Sequence, residues 1–238
     1  MTDNGNRFPS LDKLAARYGL SADQAQQLRR LGAILAEDEH APTTVHDPAR
    51  VRDDHLADAL VALELPVVRG AGTIADLGAG AGVPGLPLAI ALPDARIVLV
   101  EGNGRKCEFM QSTATELGLD NVEVVHGRAE TWREGIVRMD VVTARALAPL
   151  DVVAEYAAPL LRLGGAVVAW RGQRDPTAEH EAERAAAILG LTIEVPLRVE
   201  PYLGALNRHL HVMVKTEPTP TRFPRRDGVA RKRPLGRS

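Results

Sequence analysis

The sequence predicts an α/β fold: a mostly parallel β-sheet with an antiparallel hairpin at its end, preceded by an N-terminal helical cap. From Thr73 onward, short apolar runs alternate with helical patterns, which is typical of βαβ crossovers between parallel strands. The last two apolar runs have no helical pattern between them, so we expect them to pair antiparallel. The first 66 residues show helical periodicity only. We therefore expect a helical cap over residues 1–66, a sheet domain over 67–216 and a C-terminal tail over 217–238.

Two helices are expected in the cap, near residues 22–38 and 48–63. Ser21 with Gln24 three positions later matches a capping box at the start of the first helix. The apolar residues that follow recur at helical spacing: Leu28, Leu31, Ile34 and Leu35. Pro66 ends the second pattern.

Five parallel strands and two late antiparallel strands are expected in the sheet domain. The parallel strands lie near 73–77, 96–101, 121–126, 139–144 and 165–170. Helices lie near 84–92, 104–117, 150–162 and 176–189. The late strands lie near 191–200 and 208–215. This layout resembles the Rossmann-like sheet of class I S-adenosylmethionine-dependent methyltransferases, whereas a nicotinamide-binding sheet more often continues with another parallel βα unit.

Composition narrows the class of protein further. The apolar fraction of 45% and charged fraction of 25% are ordinary for a soluble globular chain. The single cysteine, Cys107, excludes an internal disulfide, and we expect it to be a packing residue and the protein to hold no metal. No apolar run approaches the roughly 18 residues of a membrane span, and the start "MTDNGNRFPS" lacks the regions of a secretion signal. We expect a cytoplasmic protein, and nothing suggests more than a monomer.

Charge is distributed unevenly along the chain. Residues 217–238 carry a net charge of +5, whereas the remaining residues carry −7. A basic, proline-punctuated tail on an acidic body indicates a polyanionic partner. A solvated, disordered end is an equally good interpretation of this feature alone.

A glycine-rich loop follows the first parallel strand. Asp76 ends the strand, and Gly78, Gly80 and Gly82 complete the pattern D-x-G-x-G-x-G. Glycines allow a tight turn and a close approach of the backbone to a ligand, and the next helix would point its N-terminus at that ligand. Pro84 suits the first position of that helix. A tight turn without a ligand is the structural alternative.

The loop alone leaves the cofactor open, because Gly80, Gly82 and Gly85 also satisfy the dinucleotide fingerprint G-x-G-x-x-G. An acidic Asp76 at the mouth of the loop would repel a pyrophosphate but attract the sulfonium and amino groups of S-adenosylmethionine. Glu101 ends the second strand, where its carboxylate can accept hydrogen bonds from both ribose hydroxyls of either cofactor.

The segment "GRAE" after the third strand also favours S-adenosylmethionine. Ala129 and Glu130 can border an adenine ring there, and the carboxylate can accept a hydrogen bond from the adenine amino group. A surface acid at a strand end is the alternative for either glutamate. The position of both acids after consecutive strands favours the cofactor-binding interpretation.

The fourth strand, "MDVVTARALAPL", ends where the methyl acceptor is expected to bind. The chain contains no Pro-Pro pair of the kind used on exocyclic amines, and Cys107 lies on a helix elsewhere. What remains is an acceptor that is already nucleophilic, and N7 of guanine qualifies because it carries a free lone pair. Arg145 is the candidate catalytic residue, able to reach the cofactor, a phosphate or the guanine carbonyl; a surface arginine at a strand end is the alternative.

Five segments together resemble the bacterial 16S rRNA guanine-N7 methyltransferases, the family called RsmG or glucose-inhibited-division protein B (GidB). They are "DLGAGAGVPGLPLAI", "LVEGNGRKCEFM", "GRAE", "ARALAPL" and "RHLHVMVK". The resemblance implies an S-adenosylmethionine enzyme that methylates one guanosine in the decoding-region loop of 16S rRNA, with the rRNA or a small-subunit particle as its partner. It places five residues at cofactor-contacting positions: Gly78, Val83, Ala129, Glu130 and Arg145.

Several positions depart from the family pattern, and most of them lie in the cap. Ala41 stands where the family has Asn, Asp54 where it has Arg, Ala59 where it has Ser and Arg171 where Lys is common. An acid in place of an arginine beside a phosphate backbone would reverse the interaction. Three alternatives therefore stay open: another RNA or a small molecule as acceptor, a nicotinamide-dependent oxidoreductase, and a non-catalytic RNA-binding module.

Overall fold

One eight-stranded mixed sheet forms the centre of the computed structural model, which describes residues 10–237. The segment 1–9, on which part of the secretion-signal argument rests, and Ser238 lie outside the described residues. The strands are β1 (Thr73–Leu77), β2 (Arg96–Glu101), β3 (Val122–His126), β4 (Met139–Arg145), β5 (Leu161–Arg171), β6 (Leu191–Ile193), β7 (Leu197–Val199) and β8 (Arg208–Lys215).

The strand order confirms the predicted sheet. It runs β3-β2-β1-β4-β5-β8-β6, with β7 also paired to β8. Strands β1 to β5 are mutually parallel, and β8 pairs antiparallel with β5, β6 and β7. The strand order reverses between β1 and β4, and the carboxyl ends of these strands are where open α/β sheets bind ligands.

Ten α-helical segments accompany the sheet in the described part of the chain. They are α1 (Leu11–Tyr18), α2 (Ala22–Glu37), α3 (Pro48–Arg50), α4 (Asp58–Leu60), α5 (Pro66–Arg69), α6 (Gly85–Ala91), α7 (Gly104–Glu116), α8 (Leu150–Ala157), α9 (Pro176–Leu189) and α10 (Val229–Lys232). The capping box at α2 is confirmed, since Gln24 N donates to Ser21 Oγ at 3.2 Å and Ser21 N donates to Gln24 Oε1 at 2.8 Å. No helix among residues 10–237 is long and apolar enough to cross a bilayer.

The cap differs from its prediction in two places. Helix α1 was not expected, although Ser10 caps it through Lys13 N and Gly19 ends it in the left-handed region. The single helix expected over 48–63 is divided into α3, a π-helical turn (Val51–Ala57), α4 and a 3-10 turn (Val61–Glu64). Hydrophobic periodicity distinguishes these helical forms poorly, because the 3-10 and π forms each differ from the α-helix by less than one residue per turn.

Two boundaries in the sheet also differ. The strand expected from 165 begins at Leu161, and the helix expected to reach 162 ends at Ala157. Gly165 lies inside β5 at an irregularity of its pairing with β4, where a Cβ would come within 2.8 Å of the Asp140 carbonyl oxygen. The strand expected over 191–200 is divided into β6 and β7.

Apolar side chains bury both faces of the sheet. On one face, Leu28 and Leu31 of α2 share a core with Ile74 of β1. Helix α2 packs against α6, so the cap and the sheet domain are joined by one continuous core. On the other face, α8 and α9 pack together with Phe223 and Ala230 of the tail. The tail residues are thus part of a core, and the interpretation of the tail as a solvated, disordered end is wrong for residues 217–237.

Candidate active site

A cavity of about 460 Å³ opens at the carboxyl ends of the parallel strands. Its volume lies in the range of small-molecule and cofactor sites, roughly 300–1,000 Å³. Residues at the carboxyl ends of β1 and β2 and in the loops after β1 to β4 line it, together with one tail residue. The lining residues include Gly78, Glu101, Ala129, Glu130, Leu147 and Arg231. Four of the residues predicted to bind a cofactor, Gly78, Glu101, Ala129 and Glu130, are therefore brought to one cavity.

The glycine loop requires its glycines for conformation. Gly78, Gly80 and Gly82 have φ values of 66°, 61° and 81°, in the left-handed region that favours glycine. A Cβ on Gly78 would lie 2.6 Å from Leu147 Cδ1, so a larger residue there would have to displace that side chain as well as adopt a left-handed backbone. Gly78 lines the cavity, whereas Gly80, Gly82 and Val83 are not among the lining residues.

Glu101 is held in place by two backbone amides. Asn103 N donates to its Oε1 at 2.9 Å, and Gly80 N donates to its Oε2 at 3.1 Å. Each carboxylate oxygen keeps a further lone pair, so the fixed group can still accept hydrogen bonds from a ligand in the cavity. The neighbouring Cys107 is buried and its Sγ donates to the Glu101 carbonyl oxygen at 3.3 Å, which confirms it as a packing residue.

Asp76 does not form the acidic mouth that the sequence suggested, and that expectation is wrong. Its side chain is only 1% exposed. Gly85 N, at the start of α6, donates to its Oδ2 at 3.0 Å, and the Thr143 hydroxyl of β4 donates to its Oδ1 at 3.0 Å. The carboxyl group therefore joins β1 to α6 and β4 from inside the core. Burial raises its pKa to about 7, an effect that the hydrogen bonds and Arg145 partly oppose and the charge of Glu101 increases.

Replacing Asp76 with asparagine is expected to change how stability depends on pH. Because the pKa of Asp76 in the folded protein, about 7, exceeds the unfolded value of about 3.9, the wild type loses stability as pH rises between these values. The asparagine side chain cannot ionise. Its oxygen can accept from Gly85 N while its amide donates to the Thr143 hydroxyl, which has Ala75 O as an alternative acceptor at 3.4 Å.

Urea denaturation of both proteins at pH 4.5 and pH 8 tests this expectation. A pKa difference of one unit between folded and unfolded protein corresponds to about 1.4 kcal/mol. Between pH 4.5 and pH 8, the unfolding free energy of the asparagine variant should rise relative to that of the wild type by more than about 1 kcal/mol. A difference that stays constant over this range would show that Asp76 is ionised throughout.

Glu130 is buried at the end of the cavity and contacts the tail. Gly228 N donates to its Oε1 at 3.3 Å. The sequence offered no indication of this contact, because the two residues are 98 positions apart. Glu130 thus both lines the cavity and accepts a hydrogen bond from the tail.

Arg145 points toward the cap. Its Nη1 donates to Asp58 Oδ2 at 3.0 Å and to the Asp54 carbonyl oxygen at 2.7 Å. Its Nη2 donates to His55 Nδ1 at 3.2 Å. Arg145 is not among the residues that line the cavity, although Ala146 and Leu147 directly after it are. The guanidinium therefore binds the end of β4 to the cap in this structure, and a contact of Arg145 with cofactor or acceptor stays a prediction.

The tautomer of His55 follows from these contacts. Because a guanidinium has donors only, His55 Nδ1 must accept, and Nε2 carries the proton that it donates to Thr43 Oγ1 at 2.8 Å. Burial lowers the pKa of His55, and the charge of Arg145 lowers it further. His55 is therefore neutral and serves as a bridge between Arg145 and the segment before α3.

The positions that depart from the family pattern lie inside hydrogen-bond networks or in the core. Asp54 accepts from the Tyr202 hydroxyl at 2.6 Å and from Arg50 Nη2 at 3.0 Å. Burial acts to raise its pKa, but these hydrogen bonds together with the charges of Arg50 and Arg208 outweigh it, and the pKa is lowered. Ala41 and Ala59 are buried, and Arg171 donates to the carbonyl oxygen of Ala148. Asp54 is thus compensated within the protein and is not an isolated acid.

Solved structures with this fold include S-adenosylmethionine-dependent methyltransferases. One, from Aquifex aeolicus, has a TM-score of 0.54 at 18% identity, covering 71% of this chain and 94% of that chain. Another is the fibrillarin of Aeropyrum pernix with natively bound S-adenosyl-L-methionine, at a TM-score of 0.52 and 19% identity, covering 66% of this chain and 72% of that chain. At these identities the likeness shows the fold alone, and it confirms the Rossmann-like methyltransferase sheet.

Curated relatives are more similar in sequence. The chain is 40% identical over 224 residues to the ribosomal RNA small subunit methyltransferase G of Synechococcus elongatus, covering 91% of this chain and 92% of that protein. It is 40% identical over 225 residues to the protein of the same name from Rubrobacter xylanophilus, covering 90% of this chain and 85% of that protein. The GidB family model, described as rRNA small subunit methyltransferase G, matches residues 24–201. The chain therefore belongs to the rRNA small subunit methyltransferase G family.

Proposed function

We propose that the protein transfers the methyl group of S-adenosylmethionine to N7 of one guanosine in the decoding-region loop of 16S rRNA. The observation that supports this most strongly is the cavity at the carboxyl ends of β1, β2 and β3. In a chain of this family it gathers Gly78, Glu101 and the pair Ala129–Glu130 around one space. Family membership favours methyl transfer over the nicotinamide-dependent alternative that the glycine spacing left open.

The lining residues fit the parts of S-adenosylmethionine. Gly78, whose Cβ would meet Leu147, offers bare backbone to the methionine part. Glu101 would accept from the ribose hydroxyls, since both of its oxygens are oriented by amides and keep acceptor capacity. Ala129 and Glu130 would border the adenine ring. Gly80, Gly82, Val83 and Asp76 would support this site from behind the loop.

The chain's residues would orient the reactants, and no proton transfer is required of them. When bound, the cofactor supplies a methyl group on a cationic sulfur, which the unprotonated N7 of guanine can displace in line without a general base. Arg145, held by Asp58 and His55, would position the loop that begins at Ala146 and Leu147. In this proposal Arg145 is a positioning residue, and alignment of donor and acceptor accounts for the rate.

Exposed tail arginines are the proposed contacts with rRNA phosphates. Arg222 and Arg226 are exposed, and Arg226 lies close in sequence to Gly228, which contacts the cavity residue Glu130. Phosphate contacts by arginine raise affinity independently of sequence and weaken with salt. An exposed loop base, turned out of its stack, would then enter beside the cofactor.

Methyl transfer to ribosomal RNA from a strain that lacks this protein tests the proposal. Purified protein with labelled S-adenosylmethionine should add one methyl group to naked 16S rRNA or to small subunits. Nucleoside mass spectrometry should identify the product as 7-methylguanosine. Transfer to a small molecule or another RNA, with none to either ribosomal substrate, would contradict the proposed acceptor while keeping the cofactor.

A further inference from the structure

The C-terminal segment 225–233, which we call the strap, is anchored firmly to the sheet domain. Arg225 donates from Nε to Glu155 Oε1 at 2.5 Å and from Nη2 to Glu155 Oε2, and Glu155 on α8 is only 2% exposed. Arg225 Nη2 also donates to the Arg233 carbonyl oxygen at 2.8 Å, which ties the two ends of the strap together. Ala230 between them is buried. A bidentate pair with a buried carboxylate fixes both position and orientation.

The strap bridges two walls of the cavity. On the side of the β3 end, Gly228 N donates to Glu130 Oε1 at 3.3 Å. On the side of the β4 end, Arg231 Nη2 donates to the Leu147 carbonyl oxygen at 2.9 Å. Glu130, Leu147 and Arg231 all line the cavity. The strap therefore joins the loop after β3 to the loop after β4 across the space between them.

Arg231 adds a positive charge to the cavity wall. Glu101 and Glu130 are the acids that line it, and Lys106, Arg128 and Arg231 are the cations. Of these three cations, Arg231 is the one that the strap supplies and that donates to the loop after β4. The methionine carboxylate is the anionic group of S-adenosylmethionine. The Arg231 guanidinium has donors enough to pair with that carboxylate as well as with the Leu147 carbonyl oxygen. The match to the family model ends at residue 201, before the strap begins.

We propose that the strap closes over the cofactor cavity and that Arg231 is a cofactor-binding residue. The proposal rests on S-adenosylmethionine being the cofactor. Because the strap contacts both walls, bound cofactor and closed strap stabilise each other. Bound cofactor is expected to slow the opening of the strap, and the closed strap is expected to slow the dissociation of the cofactor. The tail thereby has a role besides any contact with RNA.

Calorimetric titration with S-adenosylmethionine and S-adenosylhomocysteine, without RNA, tests the role of Arg231. The variants are Arg231→Met and the matched control Lys232→Met, which removes the same charge from the next, exposed residue that does not line the cavity. Arg231→Met should bind about tenfold more weakly, the effect of losing one charge-assisted hydrogen bond. Lys232→Met should bind as the wild type does.

The outcomes separate this proposal from the proposed function. Equal affinity of the wild type and Arg231→Met, or an equal loss in both variants, would overturn the role of Arg231 while leaving cofactor binding intact. A wild type that binds neither compound would overturn the proposed function as well.

Limited trypsin digestion of the wild type tests closure of the strap without any substitution. Saturating S-adenosylmethionine should slow cleavage after Arg231 and Lys232 at least about fivefold, since cleavage follows the opened population. Cleavage after Arg198, exposed in β7, is the internal control and should change little. Glu155→Gln, which weakens the anchor, should speed cleavage in the strap. Equal protection at all three sites, or none in the strap, would contradict closure.

Discussion

Replacing Arg145 with methionine is expected to lower the free energy of unfolding by about 3 kcal/mol, because removing one partner of a buried ion pair leaves the other uncompensated. The Asp58 side chain is 8% exposed, and Arg145 Nη1 lies 3.0 Å from its Oδ2. Burial already raises the pKa of Asp58, and Arg145 opposes that rise. Arg208 Nε, 3.5 Å from Oδ1, is too distant and misaligned to replace it. Urea denaturation at pH 7 measures the loss.

Two further variants show whether charge is the cause. Adding Asp58→Asn to Arg145→Met removes the stranded carboxylate, so the double variant should recover part of the loss. Arg145→Lys keeps the charge but lacks the planar fork that reaches Asp58, the Asp54 carbonyl oxygen and His55 together. Its free energy of unfolding should lie between those of the wild type and Arg145→Met. A loss below about 0.5 kcal/mol in Arg145→Met, the size of an ordinary surface substitution, would show that the cap is held by other contacts.

Replacing Glu101 with alanine is expected to weaken S-adenosylmethionine binding about a hundredfold, since hydrogen bonds between ribose hydroxyls and a carboxylate are charge-assisted. The substitution also frees Gly80 N and Asn103 N, which now donate to this carboxylate. The glycine loop then keeps only its backbone hydrogen bonds to β2, from Gly78 N and Ala79 N to the Val100 carbonyl oxygen. Glu101→Gln keeps one acceptor oxygen and should bind with intermediate affinity. Calorimetry gives the dissociation constants directly.

Glu108→Gln is the matched control for this experiment. Glu108 is exposed on α7 and carries the same charge, but it does not line the cavity. Its affinity for the cofactor should stay near that of the wild type. If Glu108→Gln and Glu101→Gln lose affinity by the same factor, long-range charge rather than direct contact determines affinity. Glu101 is not a ribose ligand in that case, nor if Glu101→Ala and Glu101→Gln both bind as the wild type does.

Much of the fold was predictable because its signals are local. The first four parallel strands and the start of α2 lie within a residue or two of their expected places, since apolar runs and the Ser21–Gln24 capping box depend on near neighbours. Helix α1, which was not predicted, has comparable signals in Ser10, Gly19 and the apolar spacing of Leu11, Leu14 and Tyr18. The start of β5 was expected at 165 but lies at Leu161, and its pairing with β4 is irregular over this stretch.

The site was predictable in its cavity-lining residues and not in its long-range contacts. An acid after an apolar strand suits a cavity mouth as well as a core, and one of the two contacts that hold Asp76 inside comes from Thr143, 67 positions later. Arg145 finds Asp58 87 positions earlier in the chain. The tail has the composition of a disordered segment, and its order depends on Glu155, 70 positions before Arg225. Sequence patterns extend over a few neighbouring residues, so they contain no information about contacts between residues 67 to 87 positions apart.

The last strand in the chain, β8, lies inside the sheet, and this has a consequence for incomplete chains. It covers the edge of β5 from Ala166 to Arg171, and most of that stretch is buried. A nascent or truncated chain that stops before Arg208 exposes an apolar strand edge, the kind of surface on which chains aggregate. We expect a late stop codon to remove the protein from the soluble pool altogether, even though nearly every cavity residue has by then been translated.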